Sequence, residues 1–200
     1  MKSVLSVLGV YLALMLPSQA ATVQVQVQDE RGKALPDAVV FLESPEARQL
    51  VKPLAGAEIA QTGRQFLPAV LVVPTGTAVS FPNRDTVRHH VYSFSPTKKF
   101  ELKLFAGTPA NPVVFDRSGI AVLGCNIHDN MAAWVVVVDT PFFGSTDTGG
   151  AATLSGVPAG NYHLRVWHSR LPVGAPAMDQ TLVVGAVPSN LTVRLKGLLP

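Results

Sequence analysis

The sequence has a single cysteine, so no intrachain disulfide can brace it. Charged residues make up only 14% of the chain and aromatics 7%, and the formal charge at neutral pH is +3. So small a surplus excludes the basic footprint that nucleic-acid binding needs. Beyond the N-terminal segment no apolar run approaches the ~20 residues of a spanning helix. Nor does any later stretch carry a convincing helical period. The Gly-x-Ser-x-Gly, His-Glu-x-x-His and phosphate-cradling glycine motifs of common enzymes are missing too.

What is present begins with Lys2, an apolar run from Val4 to Leu16, and Pro17-Ser18-Gln19-Ala20, with small residues where a signal peptidase reads. Residues 1–20 therefore read as a secretory signal peptide cleaved after Ala20, with an uncleaved anchor as the alternative. The mature chain is then periplasmic or secreted, with no membrane span. A free thiol in such an oxidising compartment is a liability unless it is buried or ligated.

The rest reads as all-β. Thr22 to Gln28 alternates strictly between β-branched and polar residues, the period of a half-buried strand. Ala38 to Leu42 follows as a second strand between Pro36 and Pro45. Short strands punctuated by glycine and proline then run from Val70 to Val138, and again from Thr153 to Val166. Such punctuation indicates sandwiches or barrels.

The chemistry concentrates in Gly124-Cys125-Asn126-Ile127-His128-Asp129-Asn130-Met131, where a thiolate, an imidazole and a thioether fall three residues apart. A soft sulfur, a ring nitrogen and a weak axial Met are the donors of a blue-copper site, which needs one further His. The candidates are the neighbours His89 and His90. Successive side chains of a strand point to opposite faces, so only one of them should reach the metal. Single copper per chain is the expected cofactor. His163 and His168 lie elsewhere and are expected to be ordinary structural or surface residues.

Cys-x2-His-x2-Met after a His-x-Val strand resembles the cupredoxins, with a loop length most like amicyanin, over roughly residues 56–139. The resemblance implies a Greek-key β-sandwich with His89, Cys125, His128 and Met131 as metal ligands. Cupredoxins commonly read His-Asn-Val at the first ligand. By that match His90 stands in the position of the supporting Asn, from which its ring could hydrogen-bond across to the Cys loop. Asn126 is the other residue expected to support the ligands.

Asp29, Gly32, Leu35, Pro36 and Ala38 are similar to the opening of carboxypeptidase-regulatory-like, or transthyretin-like, β-sandwich domains. Val157-Pro158-Ala159-Gly160-Asn161-Tyr162 through Val166 is similar to the closing part of the same family. The expectation is a discontinuous second domain, residues 21–53 plus 141–200, with the cupredoxin of residues 56–139 inserted in it.

The resulting expectation is an exported, monomeric, non-enzymatic carrier of single electrons that serves a redox partner protein. Arg84, Arg88, Lys98, Lys99 and Lys103 would steer an acidic partner, and Ile127, Ala132 and Ala133 would form an apolar collar around His128. Two rivals stand beside it: copper storage or delivery, and an interaction module with a structural copper. A multicopper oxidase or copper nitrite reductase would need His-x-His or His-Cys-His clusters, which the sequence lacks.

Overall fold

A computed structural model of the chain describes residues 20–200. The signal-peptide expectation therefore falls, Ala20 apart, outside the described residues. Among those residues no helix is long and apolar enough to cross a membrane. The chain is all-β.

Two sheets are made by the two ends of the chain. Ala20–Gln28 lies between Ala151–Pro158, antiparallel to it, and Ser189–Arg194, parallel to it. Its alternation decides the packing: Val23, Val25 and Val27 are buried, while Gln24, Gln26 and Gln28 are not. Val39–Glu43 lies between Phe143–Ser145 and Gly160–Trp167, with Met178–Val184 at the far edge. Val39 to Leu42 are all buried, because this strand is covered on both faces.

The middle of the chain makes the other sheets. The largest has the order Val70–Pro74, Ala132–Val138, Gly119–Gly124, His89–Ser95 and Lys98–Phe105. Opposite it lie Val113–Phe115, Thr77–Ser80 and Ala57–Glu58, and a small hairpin joins Ala60–Thr62 to Gln65–Leu67. Strands before Ser44 and after Pro141 pair with one another, and strands between them likewise.

Ala132–Val138 connects the two halves. Ala133, Val135 and Val137 enter one core with Val91, Phe81 and Phe115, whereas Val136 and Val138, with Trp134 against them, enter the other with Leu42 and Trp167. A strand with a core on each face needs an apolar residue at every position, which is why Trp134-Val135-Val136-Val137-Val138 shows no alternation. At ~1.5–3 kcal/mol per fully buried aliphatic side chain, the burial of Val136 and Val138 against the other half stabilises the junction.

One helix escaped the sequence reading. Pro45–Gln49 forms five residues of α-helix, capped by Ser44, whose hydroxyl accepts from the Ala47 amide at 3.0 Å. A single turn and a half is too short to show a period; its signals were the cap and the proline at the helix start. The short strands between Ala57 and Leu67 were likewise unread.

Candidate metal centre

Neighbouring strands bring the donors together. His89 opens the strand His89–Ser95 and is fully buried; Cys125 directly follows Gly119–Gly124. Gly124 pairs with Tyr92 on one side and Ala132 on the other, so the loop from Cys125 to Met131 turns back over the sheet edge beside His89. The Met131 amide donates to the His128 carbonyl at 3.0 Å and closes that loop.

One potential ligand atom from each of His89, Cys125 and His128 lies within 4.8 Å of the others. Cys125 Sγ is 3.8 Å from His128 Nδ1, and the two imidazole rings are 5.0 Å apart at their centroids. Met131 is buried in the same core as Cys125. His128 is half-buried, while Asn126 and Ile127 are exposed.

The free atom of His89 is the telling one. Its Nε2 lies 2.8 Å from Asp85 Oδ2, whereas its Nδ1 is buried with no hydrogen-bond partner. A buried ring nitrogen without a partner costs about 1–3 kcal/mol, a penalty that a bound metal would remove. The donor set is imidazole and thiolate, soft enough for copper or zinc, and a thioether nearby favours copper. The residues fit the metal.

Asp85 was not among the residues singled out in the sequence. It is held by the Gly63 and Arg64 amides, which donate at 2.6 and 2.9 Å. Both residues have positive φ, 61° and 58°, as the two-residue turn of the 60–67 hairpin requires. The Arg64 amide above all, then His89 and the Gly63 amide, hold the Asp85 carboxyl below its ordinary pKa, against the opposing effect of burial. Asn83 secures the same segment: its Nδ2 donates to the carbonyls of Val87 and Phe105 at 2.8 and 2.9 Å, and its Oδ1 accepts from the Asp85 amide. An Asp four residues before a candidate ligand was the available signal, hidden inside a stretch that reads as a turn.

His90 lies beside the candidate ligand His89 and is buried. Its Nε2 lies 3.0 Å from Glu101 Oε1 without forming a hydrogen bond, and its ring meets Tyr92 edge-on at 5.8 Å. The register shifts between His89 and Val91, where the Lys98–Phe105 strand carries the extra residue, and alternation puts His90 on the face of Tyr92. The cationic segment is also weaker than its sequence suggests, because Arg84 pairs with Glu58 at 2.6 Å and Lys98 with Asp116 at 2.9 Å. Of the expected collar, Ala133 is wholly buried. His163 and His168 are engaged far from the cluster, with Asp179 Oδ1 at 3.0 Å and the Pro36 carbonyl at 3.1 Å.

Solved structures similar to the chain include copper proteins, among them a purple cupredoxin. The chain is similar to a copper-containing nitrite reductase from Thermus scotoductus SA-01, at 25% identity and TM-score 0.39, over 44% of this chain and 23% of that one. It is similar to a purple cupredoxin from Nitrosopumilus maritimus, at 26% identity and TM-score 0.36, over 41% and 99% of the two chains. A copper(I) form of an amicyanin variant matches at 21% identity and TM-score 0.38, over 50% and 98%. The chain thus spans less than a quarter of the nitrite reductase it matches. No family model matches the chain, and no curated protein does.

Proposed function

We propose that the chain is an exported type 1 copper protein, periplasmic or secreted, that carries single electrons as a monomer for a redox partner protein. One copper per chain is held by His89 through Nδ1, Cys125 as thiolate, His128, and Met131 as the weak axial donor. Bound copper supplies a Cu(II)/Cu(I) couple. The observation that carries the reading is the convergence of His89, Cys125 and His128 within 4.8 Å, with His89 Nδ1 buried and otherwise unpartnered.

The protein's own groups do the rest. Asp85 orients the His89 ring so that Nδ1 points away from its hydrogen bond. The buried sheet keeps Cys125 out of water and away from oxidation. His128 offers an edge nearer the surface for a partner. The engagement of His163 and His168 elsewhere supports a carrier rather than an enzyme with a second metal centre.

The same reading divides the chain into residues 21–53 plus 141–200, a carboxypeptidase-regulatory-like sandwich, around a copper domain of residues 56–139. The segregation of strand pairing at Ser44 and Pro141 supports it. The test is metal analysis and visible spectroscopy of the purified protein. One copper per chain with an intense thiolate-to-metal band, abolished in Cys125→Ser, is expected; a colourless complex, or full colour in that variant, overturns the reading.

A further inference from the structure

A strand at the edge of a sheet carries backbone N–H and C=O groups without a neighbour, and proteins blunt such edges with lysine, proline, bulges or short length. Most edges among the described residues are treated in this way. Lys98–Phe105 carries three lysines, and Val70–Pro74 ends in proline. Ala151–Pro158 also ends in proline and holds an extra residue between Leu154 and Val157. Ser189–Arg194 follows Pro188 and ends on a cation. The other edge strands have two or three residues.

Met178–Val184 is the exception. It is the outermost strand of its sheet and pairs with Gly160–Trp167 in unbroken register over seven residue pairs. It contains no proline, lysine or arginine. Its one charge, Asp179, is engaged by His163 at 3.0 Å and Arg165 at 3.4 Å. Asp179, Gln180, Thr181 and Val183 are exposed, Val183 by 73%. Alternate residues of an antiparallel strand turn both backbone groups away from their neighbour. Among the described residues nothing bonds to those groups on the open side.

The two ends of this edge differ in chemistry. Beside Met178 lies a hollow of about 530 Å³, lined by Pro172, Ala175 and Leu195 together with Arg194 and Lys196. Both cations are exposed, and among the described residues neither meets a carboxylate. Beyond Val184, residues 185–188 carry no charge, and Val187 is exposed. A second copy paired antiparallel about Thr181 would set Asp179 against Val183 and bring that uncharged turn to the hollow. Arg194 and Lys196 would then stay without counter-charge, so the complementary occupant is a different chain.

We infer that Met178–Val184 is a docking edge for an extended segment of a partner protein. The segment adds as an antiparallel strand, with an apolar residue opposite Val183 and carboxylates at its C-terminal end beside Arg194 and Lys196. Backbone pairing supplies affinity, and the unlike ends set direction. The edge lies in the half made by the chain ends and uses no metal. Its failure leaves the proposed copper ligands standing, and theirs leaves the edge standing.

The test is fluorescence anisotropy of the full chain with a labelled probe peptide, Thr-Val-Ile-Thr-Val-Thr-Leu-Glu-Glu, capped at both ends. Saturable one-to-one binding is expected, with slowed hydrogen exchange confined to amides of residues 178–184. The reversed sequence, and the peptide with Lys-Lys for Glu-Glu, should bind roughly fivefold or more weakly, since two exposed ion pairs are lost. N-methylation of one alternate set of peptide amides should abolish binding and methylation of the other set should leave it, because a strand offers its neighbour one edge. Arg194→Glu with Lys196→Glu should weaken binding severalfold with unchanged thermal unfolding. The inference is overturned by absence of saturable binding, equal binding of either control peptide, indifference to the methylated set, or parent-like binding of the double variant. Dimerisation of the chain alone with protection of residues 178–184 overturns it too, and assigns the edge to a second copy.

Discussion

Asp85 Oδ2 and His89 Nε2 lie 2.8 Å apart, and the same carboxylate is clamped by the two amides of the Gly63-Arg64 turn. A hairpin turn thereby sets the orientation of a candidate ligand that lies on a different sheet. Asp85→Ala should lower copper affinity roughly 10- to 100-fold, as loss of a ligand's hydrogen-bond partner typically does. Asp85→Asn keeps an acceptor and should lose less. Competition with a copper chelator measures both; unchanged affinity in Asp85→Ala would show that the carboxylate does not position the ring.

His89 and His90 face opposite sides of one strand, and their substitutions should separate cleanly. His89→Ala removes a proposed ligand and should abolish or grossly alter the visible band. His90→Ala leaves the cluster in place and loses only the neighbourhood of Glu101 and Tyr92, so a blue spectrum should persist. The visible spectrum of each copper-loaded variant is the check, and the reverse pattern would reassign the ligand.

Gly124, immediately before Cys125, is packed beneath a ring. A Cβ there would sit 2.8 Å from both Cζ and Oη of Tyr92, closer than side chains tolerate. Gly124→Ala should therefore destabilise the protein by about 1–3 kcal/mol. Tyr92→Leu in the same chain should recover part of that loss, a coupling measurable by urea unfolding of the four members of a double-mutant cycle.

His168 lies buried beside the Pro36 carbonyl, and burial, more than the nearby Arg170, lowers its pKa. The folded state therefore favours the neutral ring. As pH falls below the ordinary histidine value of about 6.5, the unfolded chain takes up a proton that the folded chain resists. Its stabilising contribution is present above that value and is lost as pH falls toward the depressed folded pKa. Urea unfolding of the metal-free protein between pH 7.5 and 5 should show this decline, and His168→Gln should flatten it.

The excised segment 56–139 tests how the halves depend on each other. Its Val70, Val72, Ile120, Trp134, Val136 and Val138 pack against the core formed by the chain ends, so excision exposes a continuous apolar face. The fragment should bind copper yet self-associate. Trp134→Lys with Val136→Thr should restore a monomer by size-exclusion chromatography.

Local pattern carried much of this protein. Alternation around Val23 and punctuation by glycine and proline announced an all-β chain, because a half-buried strand must alternate and a turn needs special backbone angles. The spacing of Cys125, His128 and Met131 announced metal chemistry, because three donors in one loop need no long-range contact to come together. What lies between distant residues was decided only by the tertiary structure. Asp85 became the partner of His89 because Gly63 and Arg64, 22 and 21 residues upstream, supply two amides, and His90 came to lie beside Glu101 because the neighbouring strand shifts register. The role of Trp134 and Val136 as a seam between two cores depends on which sheets stack. Periodicity along a strand records which residues are buried, and carries no record of what buries them.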